Sequence, residues 1–214
     1  MPKKRHQADE KLPKTLNIFC EGAKTEPFYI QGYIDSFRSA QRLAVIEIQP
    51  TSKNTPVQLV EEAIKLMKSE ASVPGDEYWV VYDRESIAKY AREFHAKAWD
   101  NASKAGVNIA LSNVCFEHWL LLHFSDSAAQ YGSFEDLKRS SALNSEVKKL
   151  TGKSYEKSAK ELFQHLKPKI AEARKRAIII NKSGVDSSAI GSKPFEINPF
   201  TGMPSLLDAI DKFK

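Results

Sequence analysis

The chain has only two cysteines in 214 residues, Cys20 and Cys115. Both end apolar segments, which suits buried thiols in a reducing cytoplasm, and they pair only if the fold brings them together. No apolar run approaches the roughly 20 residues that a membrane span needs, so no membrane partner is expected. The start, Met1-Pro2-Lys3-Lys4-Arg5-His6, is basic but lacks the apolar stretch of a secretory signal. Residues 1–14 read instead as a basic flexible tail that can touch phosphates. Internal repeats and low-complexity tracts are absent. A zinc centre finds little support, because Cys115, His118 and His123 supply three ligands that do not share one helix face.

What is present is an ordinary globular composition, 42% hydrophobic and 28% charged. The net charge of +5 is unevenly spread. Residues 1–147 hold 18 Lys/Arg against 20 Asp/Glu, and residues 148–193 hold 12 against 4. Such a chain can hold a metal on one side and a polyanion on the other, or the lysines can simply be solvated. Within the basic segment, Arg174-Lys175-Arg176 is the candidate nucleic-acid contact.

Short apolar runs alternate with amphipathic stretches. Strands are predicted at 16–20, 43–49, 78–82 and 107–111. Helices follow from Thr25, from Thr55-Pro56, over about 86–104, and over 116–124. In the third helix Ile87, Tyr90, Phe94 and Ala98 are expected inward. This order predicts βαβ units and a parallel sheet of about four strands covered by helices over residues 15–125. Residues 126–214 read as a mainly helical, basic region packed on it, helical over 134–150 and 155–180, with Pro168 starting a new helix at N1 or kinking one. Ile178-Ile179-Ile180 either extends the last of these or forms an edge strand. A loop over 183–202 and a final helix near 203–213 complete the chain.

Parallel α/β sheets bind ligands beyond the carboxyl ends of their strands. Glu21 follows the first predicted strand, and Asp83 and Glu85 follow the third. Any one such acid can be a helix cap or a solvated side chain; their joint placement is what suggests a site. Side chains two apart on extended backbone share a side, so Asp83 and Glu85 can reach one cation together. Magnesium takes hard oxygen ligands and keeps several waters, so one or two carboxylates suffice. Gly22 permits a tight turn beside Glu21. Glu117, amid apolar neighbours, needs a partner, and is either a further metal ligand or a structural acid. Lys24 either meets a phosphate or is plainly exposed, and Ser112 and Asn113 either orient the site or cap a helix. Glu26 favours a helix N-terminus, and Trp79 and Trp119 read as core.

Three segments carry a resemblance: Cys20-Glu21-Gly22-Ala23-Lys24-Thr25-Glu26, Trp79-Val80-Val81-Tyr82-Asp83-Arg84-Glu85, and Ser112-Asn113 with Cys115-Phe116-Glu117 and Trp119–Phe124. With the late Asn198-Pro199 and Thr201, they resemble the RloB family, found beside restriction loci and in AbiL-type phage-defence operons. The Glu-Gly turn followed by Asp-x-acid is similar to Toprim domains, although their second acid is usually aspartate and here it is Glu85. The resemblance implies a cytoplasmic, Mg²⁺- or Mn²⁺-dependent nuclease acting on DNA or RNA. In it Glu21 ligates metal or moves a proton, and Asp83 and Glu85 hold the ion. It also implies an AAA-type ATPase partner. Two other readings stand beside it: a non-catalytic nucleic-acid-binding or adaptor subunit, and a phosphotransfer or nucleotide-processing enzyme.

Overall fold

The computed structural model describes residues 13–37 and 45–213. The basic start over 1–12 and the first two residues of the strand predicted at 43–49 lie outside the described residues.

Five strands form one sheet: β1 (Thr15–Cys20), β2 (Val45–Gln49), β3 (Glu77–Asp83), β4 (Asn108–Asn113) and β5 (Phe200–Thr201). Their spatial order is β2-β1-β3-β4-β5. The first four are parallel, and β5 pairs antiparallel with β4. The sheet thus has one strand more than expected, taken from the segment read as a loop. Two residues are too short for any hydrophobic period to reveal.

The helices α1 (Thr25–Phe37), α2 (Pro56–Met67) and α3 (Arg92–Ala105) connect successive strands. Thr55 caps α2 as predicted, accepting from the Gln58 amide at 3.4 Å with Pro56 in the first turn. Alternation along the strands splits the core into two layers. Leu16, Ile18 and Cys20 of β1, with Trp79 and Val81 of β3, face α1 and the C-terminal helices. Phe19, Tyr78, Val80 and Tyr82 face α2 and α3. Cys20 and Cys115 are buried and unpaired.

Helix α3 begins later than predicted, at Arg92, and buries a different stripe. Ile87 and Phe94 are exposed, whereas His95, Ala98 and Ala102 are buried. Residues 86–90 form turns held by Arg84, whose guanidinium donates to the Phe195 and Tyr90 carbonyls.

The C-terminal region contains α4 (Glu117–Leu121), α5 (Phe134–Ser140), α6 (Leu143–Thr151), α7 (Leu162–Leu166), α8 (Ile170–Ser187) and α9 (Met203–Lys212). The helical stretches predicted over 134–150 and 155–180 are each divided, the second at Pro168 as expected. Ser141 leaves the helical region between α5 and α6. Pro168 lies in a 3₁₀ turn between α7 and α8. Ile178–Ile180 lies inside α8, which runs on into the predicted loop. One apolar cluster extends from Leu16 of β1 to Phe213, so the α/β layer and the C-terminal helices share a core. The seam is tight at Gly202: its amide donates to the Leu111 carbonyl at 2.7 Å, and a Cβ there would lie 2.8 Å from the Ala110 Cα. Among the described residues, no helix is long and apolar enough to cross a membrane.

Candidate functional site

β1 has β2 on one side and β3 on the other, so the chain leaves β1 in one direction and returns on the opposite flank. This is a topological switch point, where the carboxyl ends of neighbouring strands open a crevice. Glu21 follows β1 and Asp83 closes β3, which puts both at that crevice. The register continues past the strand end, because the Glu21 amide donates to the Val81 carbonyl at 2.9 Å. The Glu21 carboxylate then accepts from the Asp83 amide at 3.2 Å. Asp83 has the parity of Trp79 and Val81, so its side chain lies on the α1 side of the sheet.

A cavity of about 380 Å³ opens there, lined by Glu21, Asp83 and Glu85 together with Glu26, Lys89 and Lys157 among others. Gly22 and Lys24 line it as well. A Cβ on Gly22 would displace the Glu26 carboxylate, so glycine lets that acid pack against the turn. Glu26 is buried within this cluster rather than serving only as a helix-start charge.

The electrostatics follow from crowding acids where water is scarce. Burial, reinforced by Glu85 and Glu26, pushes Glu21 up to about 7 against the opposing Asp83 amide and Lys89. Burial and then the Glu26 and Glu117 charges hold Asp83 well above the usual carboxylate range. Glu26 is raised by burial and by Glu117. Each shift records negative charge without enough compensation.

Glu85 sits differently from expectation. Its φ of 58° lies in the left-handed region, so extended geometry ends at Asp83. The pairing of alternate side chains invoked for Asp83-x-Glu85 therefore does not apply. Glu85 still lines the cavity, with its carboxylate 2.6 Å from the Lys89 ammonium. Glu117 opens α4 with 1% of its surface exposed. Its Oε1 accepts from the Tyr155 hydroxyl at 2.7 Å and lies 3.5 Å from Lys157 Nζ, while its Oε2 has no partner.

Whether this set fits a divalent cation turns on two observations. No described residue donates a hydrogen bond to the Asp83 carboxylate, and Glu117 Oε2 is a buried orphan oxygen. Hard, under-compensated carboxylate oxygens are what magnesium or manganese takes. The donor set therefore fits such an ion. Among the described residues, however, no three His, Cys, Asp or Glu side chains are already gathered as a ligand group. Fewer protein ligands, completed by water, are what the arrangement offers.

The remaining predicted residues lie elsewhere. The Ser112 hydroxyl is 3.3 Å from that of Thr201, and Asn113 donates to the Phe195 and Ile197 carbonyls. Both tie the C-terminal segment to β4 and do not line the cavity. Asn198 donates to the Tyr131 carbonyl at 2.9 Å. Arg174 is bonded to Asp211 and the Tyr33 hydroxyl, and Arg176 to the Leu122 carbonyl. Lys175 pairs with Glu172. Trp79 and Trp119 are core. His123 is engaged by the Tyr29 hydroxyl at 2.9 Å and the Trp119 carbonyl. Sequence reasoning missed Glu26, Lys89 and Lys157 as cavity residues. Glu26 stood inside the quoted Cys20–Glu26 motif, and Lys89 is four residues beyond Glu85. Nothing local marks Lys157, which arrives from the loop between α6 and α7.

A family model described as RloB-like protein matches residues 16–210. The match spans most of the chain, which therefore belongs to the RloB-like family. No curated protein and no solved structure matches it.

Proposed function

From this family membership and the acid cavity, we propose that the chain is a Toprim-like, Mg²⁺- or Mn²⁺-dependent nuclease that hydrolyses phosphodiester bonds of DNA or RNA. The observation that carries the reading is the meeting of Glu21 and Asp83 at the switch point of a parallel sheet, both under-compensated in charge. Asp83 and Glu21 would hold the ion, with Glu85 and Glu117 within the same cluster. When bound, the cation supplies polarisation of a phosphate and an activated water. The alternative role for Glu21 is off the metal, where its carboxyl, pushed up to about 7, can take or give a proton at neutral pH. Lys89 holds Glu85 in place, and Tyr155 holds Glu117. By resemblance to AbiL-type operons, the setting is cytoplasmic phage defence alongside an AAA-type ATPase that directs the activity.

A non-catalytic nucleic-acid-binding or adaptor role is the second reading. It is favoured by the absence of a pre-gathered three-ligand group among the described residues. One screen separates the two. Purified protein is incubated with single- and double-stranded DNA and RNA, with Mg²⁺, Mn²⁺ or chelator, alone and with the neighbouring ATPase. Metal-dependent cleavage that is lost in Glu21→Gln and Asp83→Asn, while both variants stay folded, supports the nuclease. Nucleic-acid binding indifferent to metal and to both substitutions leaves the adaptor.

A further inference from the structure

Lys157 is the single described residue beyond Tyr90 that lines the acid cavity. Its loop is fixed to the first turn of α1, because the Thr25 hydroxyl donates to the Lys157 carbonyl at 3.0 Å. Its ammonium lies 4.0 Å from the centre of the Phe134 ring. Three residues on, the Lys160 ammonium lies 5.1 Å over the Phe28 ring. A shallow recess lined by Thr25, Phe28, Lys157 and Lys160 connects the two lysines at the cavity edge.

An aromatic face attracts an ammonium by roughly 0.5–1 kcal/mol at an exposed site but carries no net charge. The rings therefore hold these cations in place without neutralising them. Lys157 has Glu117 at 3.5 Å, an oxygen that also accepts from the Tyr155 hydroxyl at 2.7 Å and keeps its charge, so this lysine is partly offset. Among the described residues, Lys160 forms no ion pair. On α8, Arg174 pairs with Asp211, Lys175 with Glu172 and Lys182 with Asp186, while Arg176 has the Leu122 carbonyl alone. Lys160 thus stands at the edge of the acid cavity without an acid partner, and Lys157 offsets part of the acids' charge.

We infer that Lys157 and Lys160 form a phosphate-binding rim that seats a single-stranded polynucleotide beside the acids. Lys157 takes the phosphate at the cavity and Lys160 a neighbouring one. Two cations three residues apart in one loop serve one strand. A duplex would need a second basic surface for the other strand, and most basic side chains of α8 are already paired with acids. The inference rests on the phosphodiester reading above and deepens it.

The test is fluorescence anisotropy with labelled single-stranded DNA and RNA oligonucleotides across a salt series, with Ca²⁺ in place of Mg²⁺. The Lys157→Gln/Lys160→Gln double variant is expected to bind roughly tenfold more weakly, with a salt slope lower by about 1 per lysine. Lys157→Arg/Lys160→Arg restores binding, and Lys175→Gln/Lys182→Gln binds as the wild type does. Unchanged melting, and unchanged Mn²⁺ affinity in Lys160→Gln, show that the fold and the acid site are intact. The rim is overturned if the double Gln variant keeps wild-type affinity and slope, if the α8 variant carries the loss, or if a duplex of the same sequence binds more tightly than the single strand. Wild-type protein that binds no oligonucleotide and cleaves none overturns the phosphodiester reading as well. Wild-type cleavage with a silent double variant overturns the rim alone.

Discussion

Glu21 is held at a cost that its substitution should reveal. Its ordinary carboxyl value is 4.5, and burial raises it to about 7. In the unfolded chain it ionises freely, so its contribution to stability is intact below about 4.5 and is lost as pH rises through about 7. Glu21→Gln keeps an oxygen for the Asp83 amide but carries no charge. The metal-free variant is therefore expected to be more stable than wild type at pH 8, by on the order of 1–2 kcal/mol, read by urea denaturation. Mg²⁺ should raise the wild-type melting temperature and leave the variant's unchanged. A variant no more stable than wild type would show that the site's negative charge is compensated. Glu85 offers a second residue-scale test through its φ of 58°. Glycine adopts that conformation freely, and alanine does not. Glu85→Gly should therefore be more stable than Glu85→Ala by about 1 kcal/mol, since both lose the exposed Lys89 pair equally. Equal stabilities would mean that the backbone relaxes when the side chain is removed.

At the scale of elements, the seam between β4 and the C-terminal segment decides how the molecule is joined. Gly202→Ala would put a methyl group against the Ala110 backbone, which cannot swing aside as a flexible side chain can. A loss of about 2–3 kcal/mol is expected, measured by chemical denaturation; a change under half of that would place slack at the seam. The strands that carry the acids were legible because each is a short, nearly continuous apolar run closed by polar residues: Leu16–Cys20 before Glu21-Gly22, and Tyr78–Tyr82 before Asp83. The cap at Thr55-Pro56 was legible for a similarly local reason. What escaped was set by tertiary partners. Helix α3 buries His95 against Tyr82 and Phe195, both of which stack on its ring, and so turns Phe94 outward against the hydrophobic rule, while Ile87 is exposed in the turn before the helix. The break at Ser141 interrupts a helical pattern whose apolar spacing continues across it, whereas the one at Pro168 was legible from the proline itself. Glu21 and Asp83 were found from their strand ends, but their adjacency depends on the β2-β1-β3 order, which no local signal encodes. Lys157 depends on it twice over.

For the whole molecule, the pH profile of stability should have two limbs of opposite origin. Burial holds His118 and His123 down at about 4 against an ordinary value of 6.5. His118 has no hydrogen-bond partner at either ring nitrogen, so its charged form has nothing to stabilise it. For groups lowered on folding, the stability they support is present above about 6.5 and is lost as pH falls towards 4. The acid cluster runs the other way. Glu21, Glu26 and Asp83 are all raised by burial, so each costs stability as it ionises on the way up. Between about 4.5 and 6.5 the two sets oppose each other; above that range the histidines are silent and the acids alone act. Metal-free protein is therefore expected to weaken by a few kcal/mol as pH falls towards 4, and to weaken on the other side as pH rises through about 7. Because the alkaline limb comes from clustered carboxylates, millimolar Mg²⁺ should flatten it and leave the acid limb unaltered. Urea midpoints measured across pH with and without Mg²⁺ check both limbs together. An alkaline limb that persists in saturating Mg²⁺, or one that is equally present in Glu21→Gln/Asp83→Asn, would detach the cluster from cation binding.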